Sequence, residues 1–77
     1  MPFVNIRTMK GALTPEKKKE LHERIRDVLV EIEGNGNKIF RRFVTILIEE
    51  IEPENWSVSG TQGSQEFIDQ ITKVKNK

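Results

Sequence analysis

The chain has 77 residues and no cysteine, with 13 Lys plus Arg against 12 Asp plus Glu for a formal charge of +1. That length allows a single domain, residues 1–77, whose small core needs support; with no disulfide or thiolate–metal site available, oligomerisation is the expected source. The even charge balance argues against a nucleic-acid partner, which needs a basic excess, and no apolar run approaches the ~20 residues that span a bilayer.

In chain order, residues 2–9 are rich in β-branched and apolar side chains and read as a strand that Lys10-Gly11-Ala12-Leu13 ends. Thr14-Pro15-Glu16 opens a helix. Thr14 caps free amides, Pro15 suits the first helical position, and Glu16 complements the positive end of the dipole. Leu21, Ile25, Val28, Leu29 and Ile32 follow at helical spacing and form one apolar stripe, with Lys17, Lys18, Lys19, Glu23, Arg26 and Asp27 on the remaining surface. Gly34-Asn35-Gly36-Asn37 stops the helix, because Gly and Asn tolerate the left-handed conformation.

Residues 43–48 carry the strongest strand signal. The run is apolar on both faces and so is expected to be covered on both sides. One helix covers one face; a partner subunit is inferred for the other. Residues 49–55, with Pro53, read as a turn or loop, and residues 56–60 as a short strand or hairpin that Thr61-Gln62-Gly63 breaks. Ser64 then caps a final helix carrying Phe67, Ile68, Ile71 and Val74 at helical spacing. There is no internal repeat. The order is β-α-β, a turn, a short hairpin and a terminal helix, an α+β chain with its two main strands parallel.

Conventional catalytic parts are scarce. The lone His22 sits between Leu21 and Glu23 on the helix and reads as a solvated surface residue rather than a base in a pocket. No His-His or Cys-His cluster exists for a metal. Glu49, Glu50, Glu52 and Glu54 lack the alternating oxygens and central Gly of a calcium loop and read as solvated. Gly34-Asn35-Gly36 follows a helix rather than preceding one, so it is no phosphate loop. Asn55-Trp56-Ser57 fits the glycosylation pattern, without relevance in a chain lacking a secretory signal.

Pro2 is different. Methionine aminopeptidases remove Met1 when the second residue is small, leaving a secondary amine. An ordinary α-amino group titrates near ~8, and burial beside apolar residues lowers that value. A neutral amine can lift a proton from a carbon next to a carbonyl and return it elsewhere. If Met1 stays, Pro2 is an amide nitrogen with no basic lone pair.

Taken together, Pro2-Phe3-Val4-Asn5-Ile6, Lys10-Gly11, Leu13-Thr14-Pro15-Glu16-Lys17-Lys18, Val44-Thr45-Ile46-Leu47-Ile48-Glu49-Glu50 and the Trp56 segment up to Gly60 resemble the tautomerase family typified by 4-oxalocrotonate tautomerase. The order and spacing of these pieces carry the resemblance, which runs from Pro2 to about Gly60. It implies a β-α-β subunit whose pairs complete a four-stranded sheet by dimerisation, with further assembly to a hexamer in some members. It also implies processed Pro2 as general base in a keto–enol isomerisation of a small carbonyl or keto-acid substrate, with no cofactor or metal. Well-studied members place one arginine just after the glycine matching Gly11 and another at the position matching Thr45; here Ala12, Leu13 and Thr45 stand there. Arg41 is the first candidate to replace these carboxylate forks, by strand parity with Thr45, with Arg7 and Arg42 behind it. Trp56 and Met9 are the expected apolar walls of a substrate pocket.

Residues 61–77 form a C-terminal extension, expected to be helical, that resembles those of members that stay dimeric; Phe67, Ile68 and Ile71 are its covering residues. Two other readings compete. The same amine serves hydration or dehalogenation of an unsaturated acid, for which no second group to activate water is evident. Or the chain is a non-catalytic oligomeric small-molecule-binding module on a tautomerase fold. Without a basic start and a long apolar stretch at the N-terminus, the expected location is cytoplasmic.

Overall fold

The structure, a computed structural model, describes residues 1–73. Strand β1 (Phe3–Met9) leads through a turn into helix α1 (Pro15–Ile32), then a 3-10 helix (Lys38–Phe43) and strand β2 (Thr45–Ile51). A second 3-10 turn (Pro53–Asn55) precedes a small hairpin of β3 (Ser57–Val58) and β4 (Thr61–Gln62), and α2 (Gln65–Thr72) closes the described chain. Val74, assigned to the final helix from its spacing, lies outside the described residues, as do residues 75–77 of the C-terminal extension.

β1 and β2 pair in parallel, with Phe3 opposite Thr45 and Met9 opposite Ile51. Paired residues share a face and successive ones alternate. Val4, Ile6, Ile46 and Ile48 therefore lie on one face, and Phe3, Asn5, Arg7, Leu47 and Glu49 on the other. α1 packs on the first. The Lys18 Nζ donates to the Glu50 carboxylate at 2.7 Å, tying the start of the helix to the end of β2.

Both helix starts follow local sequence chemistry. The Thr14 hydroxyl accepts the Lys17 N–H at 3.1 Å, and the Ser64 hydroxyl accepts the Phe67 N–H at 3.1 Å. Asn35 and Gly36 adopt left-handed φ values of 55° and 79° just beyond α1, as the stop signal requires.

Four details differ from the sequence reading. β2 begins at Thr45 and runs on to Ile51, because residues 38–43 wind into a 3-10 helix capped by Asn37, whose side chain accepts the Ile39 N–H at 3.0 Å. Thr61 and Gln62 do not break the hairpin but form its second strand, opposite Val58 and Ser57. Val30, absent from the expected stripe, is buried, while Val28 and Ile32 are exposed. The segment after α1 folds back along the Val30 flank, where the Gly36 N–H meets the Val30 carbonyl at 2.9 Å. Arg26 and Lys18, read as plain surface, are half-buried.

The other sheet face is covered only at its far end, where Met9 is buried by the C-terminal segment. Ile68, 2 % exposed, anchors α2 over the turn at Gly11. Towards the start of the strands, Phe3 remains 63 % and Leu47 46 % exposed. The radius of gyration is 15.2 Å, against roughly 11–12 Å for a compact domain of this length. Among the described residues, no helix is long and apolar enough to cross a membrane.

Candidate functional site

Pro2 heads β1. It is half-buried, and its carbonyl accepts the Thr45 N–H at 3.1 Å, so the backbone at the candidate amine is held by the start of β2. The next residue, Phe3, pairs with Thr45, so Pro2 stands at the start of the sheet near Val44. Met1, joined to the Pro2 nitrogen, is 87 % exposed.

Trp56 ends the second 3-10 turn. Its indole Nε1–H donates to the Ile51 carbonyl at 3.2 Å, and its own carbonyl accepts the Gly63 N–H at 2.9 Å. These two bonds fix the ring against the end of β2 and against the return of the hairpin. The result is a cavity of about 300 Å³, walled by Met9, Trp56, Val58, Phe67 and Ile71, with Arg7 and Thr8 at its edge. The walls are apolar, as a site that binds the carbon skeleton of a small molecule requires, and the Arg7 guanidinium adds one cation.

Arg7 is already engaged. Its Nε donates to Glu49 Oε1 at 2.9 Å across the two strands. That bond, followed by one from Asn5, holds the Glu49 carboxyl below the usual carboxylate range.

Arg41 does not share strand parity with Thr45, because the strand begins at Thr45 and Arg41 lies in the 3-10 helix before it. Its Nε donates to the Lys38 carbonyl at 3.3 Å, and it lines a cleft with Arg26, Lys38 and residues of α1. Arg42 lies exposed in the same 3-10 helix. His22 is exposed beside a shallow depression bordered by Arg26, Val44 and Ile46.

The sequence-derived residues thus fall into two groups. Trp56 and Met9 meet in one cavity at the C-terminal end of the strands. Pro2 and Arg41 lie at the opposite end, separated from that cavity by the length of β1, about 20 Å at ~3.3 Å per residue. Phe67 and Ile71 were expected to cover a surface and prove to be cavity walls; the i, i+4 spacing marked their common face, but only the return through Gly63 aims it at Trp56.

Comparison with known proteins agrees with this architecture. The family model described as "Tautomerase enzyme" matches residues 2–66. A probable tautomerase K2 from Dickeya dadantii (strain 3937) is 37% identical over 60 residues, covering 78% of this chain and 84% of that protein. The crystal structure of DmpI from Helicobacter pylori superposes with a TM-score of 0.61 at 28% identity, covering 79% of this chain and 94% of the other. That of YwhB, a homologue of 4-oxalocrotonate tautomerase, superposes with a TM-score of 0.64 at 24% identity, covering 79% and 92% respectively, and so shares the fold. The chain belongs to the tautomerase family, and it is an isomerase.

Proposed function

We propose that the protein is a cofactor-independent tautomerase in which Pro2, freed by removal of Met1, is the general base for keto–enol proton transfer on a small carbonyl or keto-acid substrate. The observation that carries this reading is the placement of Pro2: half-buried at the head of a strand, its backbone held by Thr45, with the preceding methionine exposed to a peptidase. The neutral amine takes the proton of an enol hydroxyl, the oxygen lone pair forms the carbonyl, and the carbon–carbon double bond takes the proton back from the ammonium. Atoms and charge balance, and no external reductant or oxidant enters. General-base assistance of this kind contributes about 100- to 10,000-fold.

The catalytic unit in this reading is an oligomer, at least a dimer. Support comes from the open edges of the two-stranded sheet, the exposure of Phe3 and Leu47 on one face, and the exposure of Val28, Ile32 and Ile39 on and after α1. A parallel pair of strands is rarely stable without cover on both faces. Copies related by a two-fold axis run antiparallel when they join edge to edge. The Pro2 end of one subunit then lies alongside the Trp56 end of its neighbour, which closes the separation of about 20 Å seen within one subunit. Trp56 and Met9 form the apolar wall that holds the substrate and excludes water from the amine.

The test is turnover of a 2-hydroxydienoate and an aryl enolpyruvate by the wild type and Pro2→Ala, with intact mass spectrometry on both proteins. Loss of turnover in Pro2→Ala, with Met1 absent from the active wild type, supports the assignment. Equal rates in the two proteins, or full activity with Met1 retained, would remove it.

A further inference from the structure

Basic side chains from two elements converge on a cleft of about 450 Å³ between α1 and the 3-10 helix. Arg26 comes from α1, and Lys38 and Arg41 from the 3-10 helix; Asp27 and Glu31 share the rim, which leaves the lining one positive charge in excess. Val30, 7 % exposed, forms an apolar floor.

Arg26 is the unusual member. Its side chain is 35 % exposed, but its Nε is buried and has no hydrogen-bond partner among the described residues. Its contact with the neighbouring Asp27 is a long one, from Nη2 at 3.5 Å. A guanidinium carries five donors and stays charged at any accessible pH. A buried N–H without an acceptor is destabilising, and more so on a charged group. Arg41 has its Nε turned to the Lys38 carbonyl at 3.3 Å, which orients the guanidinium plane and leaves the terminal nitrogens to bind elsewhere.

We propose that this cleft binds a small oxyanion, a carboxylate or phosphate group, through Arg26 with Lys38 and Arg41. Two guanidinium groups match the paired oxygens of such an anion, and the ammonium adds a point charge. The site lies at the Pro2 end of the subunit, since Arg26 also borders the depression at Val44, the residue before Thr45. It does not depend on Pro2 being a base, so an unreactive proline leaves it standing.

The experiment is a titration of the 15N-labelled full-length protein with inorganic phosphate and separately with acetate, at ionic strength held constant with chloride. The Nε–H resonance of Arg26, identified by its loss in Arg26→Lys, moves saturably, together with the amides around Gly36 and Lys38. Arg26→Gln binds at least about 10-fold more weakly, as expected for loss of a charge-assisted fork. Arg24→Gln, on the exposed side of α1 and paired with Glu20, binds like the wild type. Should Arg26→Gln not fold, the exposed Lys38→Gln takes its place, with an expected weakening of about threefold. No saturable shift beyond that produced by chloride overturns the proposal, and so does wild-type affinity in the folded variant. The source of the anion is read in the same proteins. Competition between phosphate and an acidic substrate, with KM raised in Arg26→Gln, places a substrate carboxylate in the cleft. Saturable phosphate binding without competition marks a separate anion site, and either result supports it.

Discussion

The Thr45 N–H donates to the Pro2 carbonyl at 3.1 Å. The contribution of Pro2 to the sheet is therefore a backbone oxygen, which every residue possesses. Pro2→Ala retains that bond. Its unfolding free energy in urea is expected to stay within about 1 kcal/mol of the wild type, while kcat/KM for an enol substrate falls at least about 100-fold. A loss of stability that accounts for the lost activity would show the proline to be structural.

Gly63 is buried between the second 3-10 turn and β1. A Cβ there would collide with the Pro53 carbonyl oxygen and come within 3.0 Å of Met9 Cε. The backbone oxygen cannot swing aside as a side chain can. Gly63→Ala is expected to cost about 1–3 kcal/mol through overpacking and to shift the emission of Trp56, the single tryptophan, to the red as its cavity opens. Unchanged emission and stability would mean that the hairpin return is looser than the packing indicates.

Ile68 and Ile71 test α2 from its two sides. Ile68 is 2 % exposed, and truncation to alanine is expected to cost about 2–4 kcal/mol. Ile71 is 44 % exposed, and alanine there is expected to change stability by less than about 1 kcal/mol. Ile71→Ala removes a wall of the Trp56 cavity, so its effect belongs in KM for a substrate with a bulky apolar group. Similar denaturation curves for the two variants would show that α2 is not docked on the turn at Gly11.

Glu49 titrates below the usual carboxylate range because the Arg7 guanidinium hydrogen-bonds to it, with Asn5 adding to the effect. A depressed folded-state value stabilises the folded chain above the unfolded carboxylate value, and that contribution is lost as pH falls through the folded one. The pair is exposed, so the effect on overall stability is small. In a carbon-detected NMR titration the Glu49 carboxyl has its midpoint below the ordinary glutamate value, and Arg7→Ala moves it upward. A midpoint unmoved by Arg7→Ala would place the cause elsewhere.

Much of the fold is legible in local chemistry. Thr14-Pro15 and Ser64 announce helix starts because their hydroxyls cap the nearest free amides, within the same few residues. Gly34 to Asn37 marks the end of α1 for an equally local reason. The end of β2 was not legible: Glu49 and Glu50 look like loop residues until the strand pairing gives each a cation, Arg7 across the sheet and Lys18 from α1. Nor was the burial of Val30 or Arg26, since the apolar stripe of a helix predicts one covered face and α1 is flanked on a second side by the chain that follows it.

Sequence by itself determined the order of elements, the family, and the candidates Pro2, Met9, Trp56 and Arg41, because caps, periodicity and motif spacing act over short stretches of chain. Tertiary structure alone decided which of them meet. It joined Met9 and Trp56 through the return at Gly63, parted both from Pro2 by the length of a strand, and moved Arg41 out of the sheet into a cleft with Arg26. Those outcomes depend on contacts between residues far apart along the chain, and no local pattern encodes them.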